Sequence, residues 1–157
     1  MFFLFSETEN DFSVIQDSII HSNRLPKGRN PVSILYSKVL FKNVSFYENL
    51  ALQGSQNLYI GFSQVNLTES RFFVEDEAFE YLFSSSETQE SIVANSAGLS
   101  VGENAEVNIL DTSFENVAAG GMPSINVQGY SVLNITNSTF INLEAKFQGG
   151  AVQASGF

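Results

Sequence analysis

Five eight-residue segments share one pattern of apolar and polar positions. Val107-Asn-Ile-Leu-Asp-Thr-Ser-Phe114 and Leu133-Asn-Ile-Thr-Asn-Ser-Thr-Phe140 show it most fully. Val65-Asn-Leu-Thr-Glu-Ser-Arg-Phe72 and Val39-Leu-Phe-Lys-Asn-Val-Ser-Phe46 keep the frame, and Phe12-Ser-Val-Ile-Gln-Asp-Ser-Ile19 is a looser fifth copy. In the four clearer copies positions 1 and 3 are apolar, a period of two that predicts a strand with one buried face. Position 5 is polar (Gln16, Asn43, Glu69, Asp111, Asn137) and predicts a bend. The closing residues Ile19, Phe46, Phe72, Phe114 and Phe140 begin a second inward-facing strand. A third short alternating run precedes each of the four clearer copies, as in Pro31–Tyr36, Asn57–Phe62, Gly98–Val101 and Ser124–Val127.

The closing residues are spaced by 27, 26, 42 and 26. The long interval is one period of 26 with 16 residues inserted. Three short strands and three bends per 26 residues predict an all-β fold, a single-stranded parallel β-helix of about five to six coils. No coil can bury its own apolar face, so coils stack. Phe46, Phe72, Phe114 and Phe140 then form one internal column, with rings about 4.8 Å apart. A β-sandwich is the competing architecture, but it gives no reason for four Phe in one register. The insertion, about residues 75–91, reads as one or two turns of amphipathic helix around Phe79, Leu82 and Phe83, then a solvated Ser84–Glu90 loop. The 157 residues read as one domain or a piece of a longer solenoid. Met1–Phe5 is expected to lie as a cap across the first coil.

Composition narrows the chemistry. The chain has 15 Phe, 15 Asn and 27 Ser plus Thr, a strand-and-turn composition. The net charge of −10 argues against nucleic acid or an anionic membrane as partner. No apolar run approaches the roughly 18 residues of a membrane span, so no direct membrane insertion is expected. With no Cys and a single His, His21, neither a cysteine-based site nor a zinc site can be assembled from this sequence.

Phe114-Glu-Asn116 with Gly120-Gly121 downstream, and Phe140-Ile-Asn142 with Gly149-Gly150-Ala151-Val152, resemble the FxxN and GGAI motifs of polymorphic outer membrane protein repeats. Those repeats occur in surface proteins of chlamydiae and ciliates. Phe46-Tyr-Glu-Asn49 keeps the family spacing; the other two copies have one residue fewer between Phe and Asn. The resemblance covers about residues 12–157, with Gly54 as a remnant in the second coil. It implies a right-handed, pectin-lyase-like β-helix displayed on the cell surface or outside the cell, acting in adhesion or structure. No signal peptide is visible in this chain. The resemblance carries over no catalytic residue and no cofactor.

Glu69 and Asp111 are the candidate metal or acid–base pair, because they share position 5 and would stack if the insertion leaves their coils adjacent. As an ordinary polar turn column they would simply face water, which is the expectation here. Arg71 has Ser45 and Ser113 as its stack neighbours, which leaves a lyase constellation incomplete. Positive charge gathers at Arg24, Lys27, Arg29, Lys38 and Lys42. Asn43, Asn66, Asn134 and Asn137 head N-x-S/T sequons and are the candidate glycosylation sites. Their number is close to that expected from composition; their placement, two at bends and two facing outward, is more informative. Two function classes fit. One is a non-enzymatic extracellular structural or adhesion module, glycosylated and part of a larger assembly. The other is a polysaccharide-binding or polysaccharide-cleaving β-helix. Expected partners are a protein or a second copy docked on open solenoid ends, and glycans.

Overall fold

A computed structural model describes residues 2–4, 11–25, 30–51, 56–75, 97–119, 123–145 and 150–156. The helix expected in the insertion, the Ser84–Glu90 loop, Lys27, Arg29, Gly54, Gly120, Gly121 and Gly149 lie outside these residues.

The chain forms a parallel β-solenoid. One sheet stacks β1 (Phe2–Leu4), β4 (Val32–Leu35), β7 (Gln56–Gly61), β10 (Ala97–Val101), β14 (Ile125–Gln128) and β18 (Val152–Ser155), in that spatial order. The second sheet holds β2 (Ser13–His21), β5 (Lys38–Tyr47), β8 (Gln64–Thr68), β9 (Arg71–Phe73), β11 (Glu106–Leu110), β12 (Ser113–Glu115), β15 (Val132–Thr136) and β16 (Thr139–Ile141). β2 and β5 run unbroken through the bend, so two neighbouring ladders fuse into one sheet. Two short ladders complete the coils, β3 (Arg24–Leu25) with β6 (Leu50–Ala51) and β13 (Ala118–Ala119) with β17 (Glu144–Ala145). Every pairing is parallel. Among the described residues there is no helix, and thus none long and apolar enough to cross a membrane.

Like positions stack on like. Val39, Val65, Val107 and Leu133 form one inward column, and Ile15, Phe41, Leu67, Ile109 and Ile135 another. The rings of Phe46, Phe72, Phe114 and Phe140 lie parallel at 4.4, 4.7 and 5.1 Å. The first three are fully buried. Offset aromatic stacking contributes here beyond area burial, about 0.5–1.5 kcal/mol per pair. Gly98 makes room for the column: a Cβ there would meet the Phe114 ring and the Ser124 carbonyl at 2.9 Å.

The stack runs through about four full turns, fewer than five to six coils. Five rungs of the second sheet, from β2 to β15, make those four turns; β1 opens the first coil ahead of β2 and β3, and β18 adds a sixth rung to the first sheet. The first copy is also displaced by one residue. Ile20, not Ile19, pairs with Phe46, and Asp17, not Gln16, stands opposite Asn43 at the bend. Ile19 points outward and is 68% exposed. With that shift the first interval is also 26 residues. Phe2–Leu4 does not lie across the coil end; it pairs in parallel register with Val32–Ile34. Asn49 and Asn116 are not equivalent either. Asn49 is buried, accepts from the Asn23 side chain at 2.7 Å and donates to the Ile20 carbonyl at 2.8 Å. Asn116 instead occupies a left-handed bend and accepts from Asn142 at 3.1 Å.

Candidate functional site

The bend at position 5 generates the surface with the most chemistry. Asp17, Asn43, Glu69, Asp111 and Asn137 all adopt left-handed backbone, with φ between 47° and 53°. An L-residue pays about 1–2 kcal/mol for this conformation, less when it is Asn or Asp. The turn reverses the alternation, so the chain leaves one ladder and enters the next with its apolar positions still inward.

The hydroxyl that follows the bend secures it. The Ser70 hydroxyl donates to the Thr68 carbonyl at 3.0 Å and accepts from the Val44 amide at 3.3 Å. Thr112 and Ser138 repeat the arrangement one and two coils later: each donates to the carbonyl two residues before it and accepts an amide from the preceding coil. Ser37 and Ser63 form a like ladder at the other end of the strand. The hydroxyls of Ser63, Ser70, Thr112 and Ser138 thus each satisfy a backbone amide of the preceding coil. These residues were not singled out from sequence, yet a small hydroxyl directly after the bend residue is visible in three of the aligned copies.

The insertion leaves its flanking coils in contact. Thr68 pairs with Leu110 and Arg71 with Ser113, which sets Glu69 opposite Asp111. The Asn43 amide donates to Asp17 at 2.8 Å, and the Asn137 amide donates to Asp111. Beside this column runs a groove of about 560 Å³, lined by Asn43, Glu69, Asp111 and Asn137 along the bend and by Ser45, Arg71, Ser113 and Thr139 on the outward strand face. Ser70 and Thr112 complete it. Among the described residues no cluster of three or more His, Asp or Glu side chains is placed to hold a metal ion.

Arg71 has the expected stack neighbours, Ser45 and Ser113, but its guanidinium reaches diagonally to Glu115 and lies 4.1 Å from the Phe73 ring centre. The hydrogen bond from Arg71 holds the Glu115 carboxyl below the usual range, against the smaller opposing effect of burial. Phe73 stacks on Tyr47 at 4.5 Å, and the Tyr47 hydroxyl donates to Glu75 at 2.7 Å. That bond pushes the phenol up. His21 lies beyond Tyr47, with ring centres 6.4 Å apart.

The four sequons fall into two settings. Asn66 and Asn134 flank Asn108 on the flat outer face, in a carboxamide ladder: Asn108 donates to Asn66 at 3.0 Å and Asn134 to Asn108 at 2.8 Å. Asn43 and Asn137 lie at the bend, exposed, on the groove. Comparison with protein-family models, with curated proteins and with solved structures finds no match for this chain.

Proposed function

We propose that the chain is a non-enzymatic extracellular or cell-surface module, a structural and adhesive scaffold built from β-solenoid coils. One observation carries this reading. Many of the polar side chains at the groove and beside it are engaged in joining one coil to the next: Asn43 to Asp17, Asn137 to Asp111, Arg71 to Glu115, and the bend hydroxyls to backbone amides. A catalytic group needs a free reacting atom at a defined distance from substrate. Side chains committed to their neighbours instead rigidify a repetitive surface. The resemblance to polymorphic outer membrane protein repeats points the same way, and Phe46–Asn49 keeps its spacing. Protein or glycan partners within a larger assembly fit such a scaffold.

Glu69 and Asp111 favour a second reading, a polysaccharide-binding or polysaccharide-cleaving β-helix. They are carboxylates on adjacent coils in one groove. Incubation of the chain with acidic and neutral polysaccharides, with and without calcium, separates the scaffold from a cleaving β-helix by the appearance of new reducing ends. The scaffold reading expects none. Calcium-dependent cleavage that disappears in the Glu69→Asn, Asp111→Asn double variant would replace it with the second.

A further inference from the structure

We propose that the bend groove is the bed for N-linked glycans carried by Asn43 and Asn137, so that the chain's own neutral oligosaccharide fills it. This rests on the extracellular reading above. In Asn43-Val-Ser45 and Asn137-Ser-Thr139 both the asparagine and the sequon hydroxyl residue line the groove. Asn66 and Asn134 instead sit in the outer-face ladder with Asn108, away from it. The groove is open along its length and holds about 560 Å³, so a sugar laid in it keeps one face in water. That volume is room for a short oligosaccharide. Glu69 stands in the lining as an acceptor outside the coil-joining bonds, and Asp111 and Arg71 keep further acceptor and donor sites beside the bonds they make to Asn137 and Glu115, which matches sugar hydroxyls that donate and accept.

Attachment is compatible with the ladder. A glycosyl pyrophosphate donor supplies the sugar: the Nδ2–C1 bond forms, the C1–O bond to pyrophosphate breaks, and one amide proton is released. The other N–H stays on Nδ2. It can still donate to Asp17 from Asn43, or to Asp111 from Asn137. The link therefore keeps the inter-coil bond while the sugar extends over the groove.

The test is secretion of the full chain from a glycosylating eukaryotic cell, followed by site-resolved glycopeptide mass spectrometry. Timed glycan release by an amidase, on folded and denatured protein, completes it. Asn43 and Asn137 should be occupied, and Ser45→Ala and Thr139→Ala should each remove one glycan mass. Release from these two sites should be about tenfold slower in the folded chain than in the denatured one, the factor that one or two net hydrogen bonds supply. Occupancy confined to Asn66 and Asn134 would overturn the bed and leave the extracellular reading standing. Equal release rates in the folded and denatured chain, or no occupancy in secreted folded protein, would also overturn the bed. A chain that folds but stays unmodified inside the cell would count against both.

Discussion

Phe114 sits fully buried between two parallel rings, Phe72 and Phe140, that come from segments 42 and 26 residues away. Its truncation to Ala removes both stacks and opens a cavity, so chemical denaturation should show a loss of roughly 3–5 kcal/mol. Glu69 is the opposite case. It is an exposed Glu in left-handed backbone, opposite a second carboxylate. Glu69→Asn should therefore stabilise the fold by about 1 kcal/mol, because Asn tolerates that backbone and removes one of two like charges. A decrease in the denaturation midpoint would show that Glu69 holds a contact beyond the turn. Arg71 and Glu115 test the surface electrostatics. The folded Glu115 pKa is depressed, so its stabilisation is present above the unfolded value and is lost as pH falls through the folded one. Arg71 is 48% exposed and Glu115 25%, so the pair is partly screened by water and Arg71→Ala should cost about 0.2–1 kcal/mol at neutral pH. That difference should vanish in acid, once Glu115 is protonated. A cost unchanged down to low pH would assign the loss to the Arg71 contact with Phe73 instead.

At the scale of the strand and its bend, the hydroxyl ladder bears more than its size suggests. Ser70 is buried and bridges two coils. Ser70→Ala leaves the Val44 amide unpaired, which should cost about 1–3 kcal/mol and speed hydrogen exchange at Val44. Protection at Val44 that survives the substitution would contradict the bridging role. The legibility of these elements divides along physical lines. Inward columns were readable because burial forces the same residue class into the same register on every coil, as with Val39, Val65 and Val107. The first copy reads in either of two frames because Ile19 and Ile20 are adjacent and both apolar; only the partner strand decides which one faces in. Gln16 and Asp17 posed the same choice at the bend. Asn49 and Asn116 are alike in sequence as Asn after Phe, but Asn49 is buried, whereas Asn116 is itself the left-handed bend residue and its side chain bonds Val74 and Asn142 on the coils to either side. The Arg71–Glu115 pair joins residues two positions out of register, so a column-by-column comparison passes over it.

At the scale of the whole molecule, one continuous stack crosses the insertion without a break. The six-stranded sheet pairs β7 directly with β10, and the second sheet pairs β8 with β11 and β9 with β12. The groove, the carboxamide ladder and the Phe column all require those contacts. The absence of Cys makes them directly testable, since any engineered disulfide forms against a blank background. Asn66 and Asn108 face outward on adjacent rungs and are joined by a side-chain hydrogen bond. Parallel neighbours about 4.8 Å apart lie within disulfide reach, whereas positions two rungs apart, at about twice that distance, do not. The decisive measurement is oxidation of the Asn66→Cys, Asn108→Cys double variant beside a Leu40→Cys, Asn108→Cys control, read by intact mass. The solenoid predicts rapid intramolecular bonding in the first and none in the second. Bonding in the control, or free thiols in the first pair of a folded chain, would contradict it.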